Sequence, residues 1–322
     1  MKTVISFNTI NRSTSGPGAF MRAAKWYWDE VTDMAAAAGF DSIALSMVPD
    51  TPNDARNGAP VCTGALNSQY GSVPQYRDFL KEHGISSVSS MMISGQSMMD
   101  TMFENGTSMN EFFQLFYDYA KDVCEALKTL GGTFLIVSPT PAIGPLIQAT
   151  GADDRKLEQF FREAADCVNQ IGRMSSDTGI RTCVKNDFWT LLRGRNIQNF
   201  MELTDRDNVY FVPDTAQIQI AEADCCALID ALTDRISCVI FSDTRYVDTT
   251  DNYRSISPEY PQSGPMQRCY HDVGYGSVDF SRIYTRLQQH HFDGTVILES
   301  RYSLDVPRAI LRMRTFWNRL NK

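Results

Sequence analysis

Asp177-Thr178-Gly179-Ile180-Arg181-Thr182-Cys183-Val184-Lys185-Asn186-Asp187 decides the fold. A long helical pattern stops at Thr178-Gly179, where glycine offers the left-handed conformation that ends a helix. A strand-length apolar run follows at once and closes on a charge, Lys185. The same punctuation recurs at Ala38-Gly39, His83-Gly84 and Leu130-Gly131, each just ahead of a β-rich run. Strand patterns fall at about 3–8, 41–47, 85–91, 133–138, 180–186, 208–214, 236–243 and 294–300. Helical patterns near 19–38, 73–82, 108–130, 155–178, 196–205, 222–233, 279–291 and 304–320 alternate with them. Eight strand–helix pairs with short helix-to-strand joints predict a (β/α)8 TIM barrel, one α/β domain over 1–322. A doubly wound open sheet is the alternative. It calls for a Gly-rich phosphate turn, and Gly16-Pro17-Gly18 and Gly274-Tyr275-Gly276 lack the strand–GxGxxG–helix setting of a dinucleotide site.

Composition bounds the function. A chain of 322 residues, 43% hydrophobic and 21% charged, is ordinary for a soluble barrel. A formal charge of -8 without any Lys/Arg-rich run argues against a nucleic-acid or anionic-membrane surface. Met1 to Asn8 reads as a short β-run rather than a signal segment, and no apolar stretch reaches membrane-spanning length, so a cytoplasmic protein is expected. The eight cysteines show no CxxC spacing and read as reduced core thiols. Cys183 and Cys238 lie on site strands, but no activating base neighbours them in sequence.

The connections at about 48–72, 92–107 and 244–278 are long and follow strands, which in a barrel places them over the C-terminal mouth. The last carries Tyr246, Tyr253, Tyr260 and Tyr270 with Pro258, Pro261 and Pro265, material suited to covering a pocket or docking a neighbour. Met91, Met92, Met98, Met99 and Met102 read as an adaptable apolar lid or interface, or as packing. A homo- or hetero-oligomer is expected. Four strand-like runs end near Lys185, Asp214, Ile240 and Glu299, and ends converging on one face would build a single site.

Several segments resemble the sugar phosphate isomerase/epimerase group, the xylose-isomerase-like barrels that include inosose dehydratases and ketose 3-epimerases. Val184-Lys185-Asn186-Asp187 resembles the family's Val-Glu-Asn-His. Pro213-Asp214-Thr215-Ala216-Gln217 resembles its Asp-Thr-Gly/Ala-His motif, and Ala221-Glu222-Ala223-Asp224 the Ala-Gly-x-Asp behind it. Arg235 to Asp243 resembles Arg-Ile-x-x-Val-His-x-Lys-Asp, Gly274 to Phe280 the Gly-x-Gly-x-x-Asp-Phe that opens the seventh helix, and Gly294 to Glu299 the final strand. The resemblance covers most of the chain and is strongest in its second half.

It implies a divalent metal held by Glu, Asp, His and Glu, polarising a carbonyl or enediolate oxygen while protons move at adjacent carbons. Those positions are Lys185, Asp214, Ile240 and Glu299 here, and Gln217 stands for the His after Asp214. Asp214 and Glu299 suit a hard cation; the Lys185 ammonium repels one, and Ile240 supplies no donor. Three readings follow. In the first, Lys185 replaces the metal between Asp214 and Glu299 as the catalytic trio, stabilising an oxyanion or forming a Schiff base once deprotonated. In the second, Asp187, Asp243 or His271 joins Asp214 and Glu299 to rebuild a cage for Mn, Mg, Zn or Co. In the third, the barrel is a non-catalytic binding or scaffold subunit that pairs with an intact homologue or another partner.

Gln217, Asp243, His271, Arg268, Arg301 and Asn8 form the expected substrate-binding set. His271 with Arg268 could hold a carboxylate or phosphate, Arg301 a substrate anion, and Asn8 the rim. His83 and His290-His291 read as helix-end residues. The leading expectation is an isomerase- or epimerase-like protein with a small polyol or keto-sugar ligand, abstracting a proton next to a carbonyl, with no cofactor or a divalent metal.

Overall fold

The computed structural model describes residues 1–10, 19–255, 258, 260–261, 269–303 and 305–322. Eight parallel strands run β1 Lys2–Ser6, β2 Ser42–Ser46, β3 Ser87–Ser94, β4 Phe134–Ser138, β5 Arg181–Lys185, β6 Val209–Val212, β7 Cys238–Ser242 and β8 Thr295–Glu299. Their order is β6-β5-β4-β3-β2-β1-β8-β7. Isolated parallel bridges, Phe211 with Ile236 and Asp214 with Ile240, join the two ends and close the barrel. The expected (β/α)8 architecture is the one observed.

The four glycines that mark helix ends in the sequence adopt positive φ: 85° at Gly39, 83° at Gly84, 74° at Gly131 and 79° at Gly179. A β-carbon would strain that conformation, which is why glycine stops these helices.

Strand alternation sorts the side chains. Ile5, Ile43, Leu45, Leu135, Val137, Val184, Phe211, Val239, Phe241, Val296 and Leu298 pack outward in the helix-covered core. Val4, Ala44, Phe134, Ile136, Cys183, Val212, Cys238, Ile240 and Ile297 fill the barrel interior. One period further along their strands, the same phase brings Ser6, Ser138, Lys185, Asp214, Ser242 and Glu299 inward at the C-terminal end. The apolar plug thus gives way to a polar layer at the mouth.

The connections hold more regular structure than the sequence pattern shows. Segment 48–72 contains a helix at Thr63–Tyr70. In segment 92–107, β3 runs on to Ser94 and a helix spans Gly95–Asn105, burying Met98, Met99 and Met102. A further helix, Ile143–Thr150, lies ahead of Asp154–Ser176. β6 stops at Val212, because Asp214 turns to cap Thr215–Ile220 by accepting from Gln217 N. The expected helix 222–233 begins instead at Cys225, after Glu222 takes a positive φ of 55°. Among the described residues no helix is long and apolar enough to cross a membrane. All eight cysteines are free and buried.

Candidate functional site

Lys185, at the last position of β5, is 1% exposed. Its ammonium carries three hydrogens and has three acceptors: Asp187 Oδ1, Asp214 Oδ2 at 3.0 Å and the Asn186 carbonyl at 3.2 Å. Asp187 takes its second hydrogen bond from Ser138 Oγ at 2.7 Å. Asp214, fully buried, accepts from Ser242 Oγ and Gln217 N through Oδ1, while its Oδ2 also faces Arg301 Nη2 at 3.4 Å. The Asn186 side chain ties this turn down by accepting from Asp214 N at 3.1 Å.

Arg301 follows β8 and carries the network across the mouth. Its Nε and Nη2 lie 2.8 and 2.7 Å from Glu299 Oε1, and Ser6 Oγ donates to Glu299 Oε2 at 2.7 Å. Arg301 Nη1 donates to Tyr270 Oη at 3.3 Å, and the guanidinium lies 4.9 Å from the centre of that ring. Gln217 Nε2 donates to the same hydroxyl at 2.9 Å, while its Oε1 accepts from Phe188 N at 3.2 Å. The result is one buried chain, Asp187–Lys185–Asp214–Arg301–Glu299, with two cations among three carboxylates.

Electrostatics follow this geometry. Burial alone would raise the Asp214 carboxyl, but Lys185, Arg301 and the Ser242 hydroxyl outweigh it and hold the group below the usual carboxylate range. Burial works against the Arg301 charge, yet Glu299, Tyr270 and Asp214 push the guanidinium well above its ordinary value. Burial lifts the Tyr270 phenol well above its normal range, although Arg301 opposes the shift. Burial, with Cys183 beside it, also carries the Cys238 thiol well upward, the reverse of what a nucleophilic cysteine needs.

The donor set does not fit the divalent metal that the family resemblance implies. Lys185 and Arg301 already bridge Asp214, Arg301 holds Glu299, and Ile240 packs in the apolar interior. Of the regrouping expected around Asp214 and Glu299, Asp187 meets Asp214 through the Lys185 ammonium, and Arg301 stands between Asp214 and Glu299. Among the described residues no three His, Cys, Asp or Glu side chains gather around one point.

The other candidate residues disperse. Asp243 is buried, and its carboxylate accepts from the backbone N–H groups of Thr244, Gly274, Gly276 and Val278 at 2.9, 2.9, 2.7 and 3.1 Å. Burial raises its carboxyl against those four donors. It anchors the end of the β7 connection. A β-carbon on Gly276 would fall 2.1 Å from Asp243 Oδ1, so only glycine permits this approach. His271 pairs with Asp243 through the backbone, its N–H donating to Asp243 O at 2.9 Å. Asn8 sits in a short turn after β1, beside a void of about 10 Å³ lined by Trp28, Ser46 and Val61. Arg268 lies outside the described residues, as do Gly16-Pro17-Gly18 and Pro265. The β5 and β7 connections are clasped by Arg193, which donates to Asp248 Oδ2 at 3.2 Å and Asp248 O at 3.0 Å and stacks 4.0 Å from the Tyr253 ring centre.

Sequence reasoning brings Lys185, Asp187, Asp214, Gln217, Glu299 and Arg301 to the same place. It misses Ser6, Asn186, Ser138, Ser242 and Tyr270, which complete their hydrogen bonding. The period-two phase of each strand carries the signal for the serines, since every one lies two residues past an interior apolar position.

A barrel of this topology with its charged residues at the strand C-termini defines the class. The model of the xylose isomerase-like TIM barrel family matches residues 32–318, and the chain belongs to that family. Over 183 residues it is 24% identical to an inosose dehydratase of Bacillus velezensis, covering 55% of this chain and 60% of that relative. Over 144 residues it is 23% identical to an inosose dehydratase of Clostridium beijerinckii, covering 44% of this chain and 48% of the relative. The chain thus spans about half to three-fifths of the length of the curated relatives it matches. Among solved structures, a D-allulose 3-epimerase from Methylomonas sp. superposes with a TM-score of 0.67 at 14% identity, covering 99% of this chain and 98% of that one. At such identity the likeness attests the fold alone.

Proposed function

We propose that this chain is a non-catalytic member of the xylose isomerase-like family, a barrel that binds a small sugar-like ligand or pairs with a second subunit. One observation supports the reading. All six carboxylate oxygens of Asp187, Asp214 and Glu299, and all three hydrogens of the Lys185 ammonium, are engaged within the protein. Abstracting a proton next to a carbonyl needs a base that reaches the substrate and can take up the proton. Here each carboxylate is committed to a buried cation and a serine or backbone donor. The sugar-like ligand class is taken from the curated relatives, which are inosose dehydratases.

A second reading, a metal-independent isomerase or epimerase of a small polyol or keto-sugar, draws on the two cations themselves. Lys185 and Arg301 both lie against Asp214 at the strand C-termini, and fixed positive charge of this kind stabilises an enediolate oxygen where one develops nearby. Proton NMR in D₂O separates the readings. The protein is incubated with inosose, ketohexoses and pentuloses, and deuterium entry at the carbon beside the carbonyl is followed. The non-catalytic reading expects exchange no faster than without protein, together with ligand line broadening on binding. Exchange that Lys185→Met abolishes would establish the second reading.

A further inference from the structure

We propose that the Lys185 ammonium is this barrel's resident cation, tethered in an oxygen-lined position that accepts a hard divalent ion once the tether is removed. Two carboxylates and a carbonyl, from Asp187, Asp214 and Asn186, face Nζ, and such oxygens are the donors that hard cations take. Both carboxylates are held from behind by a group other than Lys185, and the Asn186 side chain fixes the turn that carries the carbonyl. Ser138 supports Asp187, Ser242 supports Asp214, and the Asn186 amide oxygen takes the Asp214 N–H. Each carboxylate therefore keeps a partner when the ammonium is removed. Charge makes the same point. Without Lys185, the carboxylates of Asp187, Asp214 and Glu299 face Arg301 alone, an excess of two negative charges that one divalent ion cancels.

Lys185→Ala removes three methylenes and the ammonium, leaving space beside those oxygens. Asp214 Oδ2 and the Asn186 carbonyl oxygen lie 3.0 and 3.2 Å from Nζ, so the cage contracts by about half an ångström to reach the 2.3–2.6 Å of a calcium–oxygen bond. This occupancy is the same in a catalytic and a non-catalytic barrel, and metal binding reads it separately from deuterium exchange.

The test is Mn²⁺ titration of chelator-treated protein by electron paramagnetic resonance, with thermal unfolding measured with and without the ion. Lys185→Ala is expected to bind one Mn²⁺ per chain, displaced by Ca²⁺, and to gain melting temperature with Mn²⁺ as any native-state ligand requires. Wild-type protein and Lys185→Met, whose stem still fills the space, are expected to bind none. Adding Asp187→Asn to Lys185→Ala is expected to weaken binding at least tenfold. Stoichiometric binding to wild type, no binding to folded Lys185→Ala, or no weakening by Asp187→Asn would each overturn the proposal. Should Lys185→Ala be recovered only unfolded, refolding is measured with and without Mn²⁺. Recovery of the fold only with the ion supports the assignment, and equal failure in both overturns it.

Discussion

Lys185→Met is the perturbation that the charge network answers most directly. Methionine keeps an unbranched stem of similar length and removes only the ammonium. Asp187 then retains Ser138 alone, while Asp214 retains Ser242 and the longer contact to Arg301. Both carboxylates are buried, at 5% and 0% exposure, so water cannot replace the lost partner. Removing one member of a buried pair costs about 3–5 kcal/mol, and two carboxylates losing one cation place the expected loss in the upper half of that range. At about 4 kcal/mol the folded population falls roughly a thousandfold relative to the unfolded. The pH dependence has a definite sign. Asp214 is held below its unfolded value, near about 3.9, so its charge contributes stability above that pH and loses it as pH falls through the folded value. Lys185 is the strongest of the groups lowering it, so the gap between wild type and variant is full where Asp214 is ionised in both and narrows in acid as the carboxyl of the variant takes up a proton before that of the wild type. Urea unfolding followed by tryptophan fluorescence at neutral and at acid pH measures it, with buried Trp28 and Trp317 as reporters. Lys185→Met/Asp187→Asn is expected to be more stable than the single variant. A loss under about 1 kcal/mol, or a gap that ignores pH, would refute the account of a buried ion-pair network.

Asp243→Asn leaves one acceptor oxygen for four backbone donors and turns an amide N–H₂ toward the rest. A loss of about 2–3 kcal/mol and faster proteolytic cleavage within 244–278 are expected, and an unchanged cleavage rate counts against the anchoring role. Tyr270→Phe removes the hydroxyl shared by Gln217 and Arg301. A loss of about 1–2 kcal/mol by denaturant titration is expected with the circular dichroism unchanged. Arg193→Ala takes the cation from the buried Asp248 carboxylate and leaves it to Asn252 N, Tyr253 N and the Tyr246 hydroxyl, so deuterium uptake should rise in peptides spanning 246–254 and stay level in those covering β1 and β2.

The barrel is legible in the sequence because its helix stops are glycines with a conformational reason to be there, and because strands buried on both faces read as apolar runs. Errors fall where side-chain capping overrides periodicity. Nothing in the apolar pattern of Val209-Tyr210-Phe211-Val212-Pro213-Asp214 says that the strand stops two residues early, since the cause is the Asp214 bond to Gln217 N. The helix at Ile143–Thr150 hides behind Gly144 and Pro145 in its first turn, and the one at Gly95–Asn105 behind methionines that also suit a loose lid. The charges of the site could be placed because they end strands. Their partners could not: Tyr270 meets Gln217 across 53 residues, and Ser6 meets Glu299 across 293, separations that sequence patterns do not register.

The joint between β6 and β7 carries one further consequence. Every other neighbouring pair of strands shares a backbone ladder, whereas this joint has isolated bridges. What holds it is side-chain stitching: Ser242 Oγ to Asp214 and to Ala216 N, and Thr215 Oγ1 with the Ser242 backbone at both N and O. The polar centre therefore serves as the clasp of the barrel as well as its charged floor. Any ligand or substitution that pulls on Asp214 also loosens the hoop, and in native-state hydrogen exchange the amides of Asp214, Ala216 and Ser242 should be the first strand-end amides to open together.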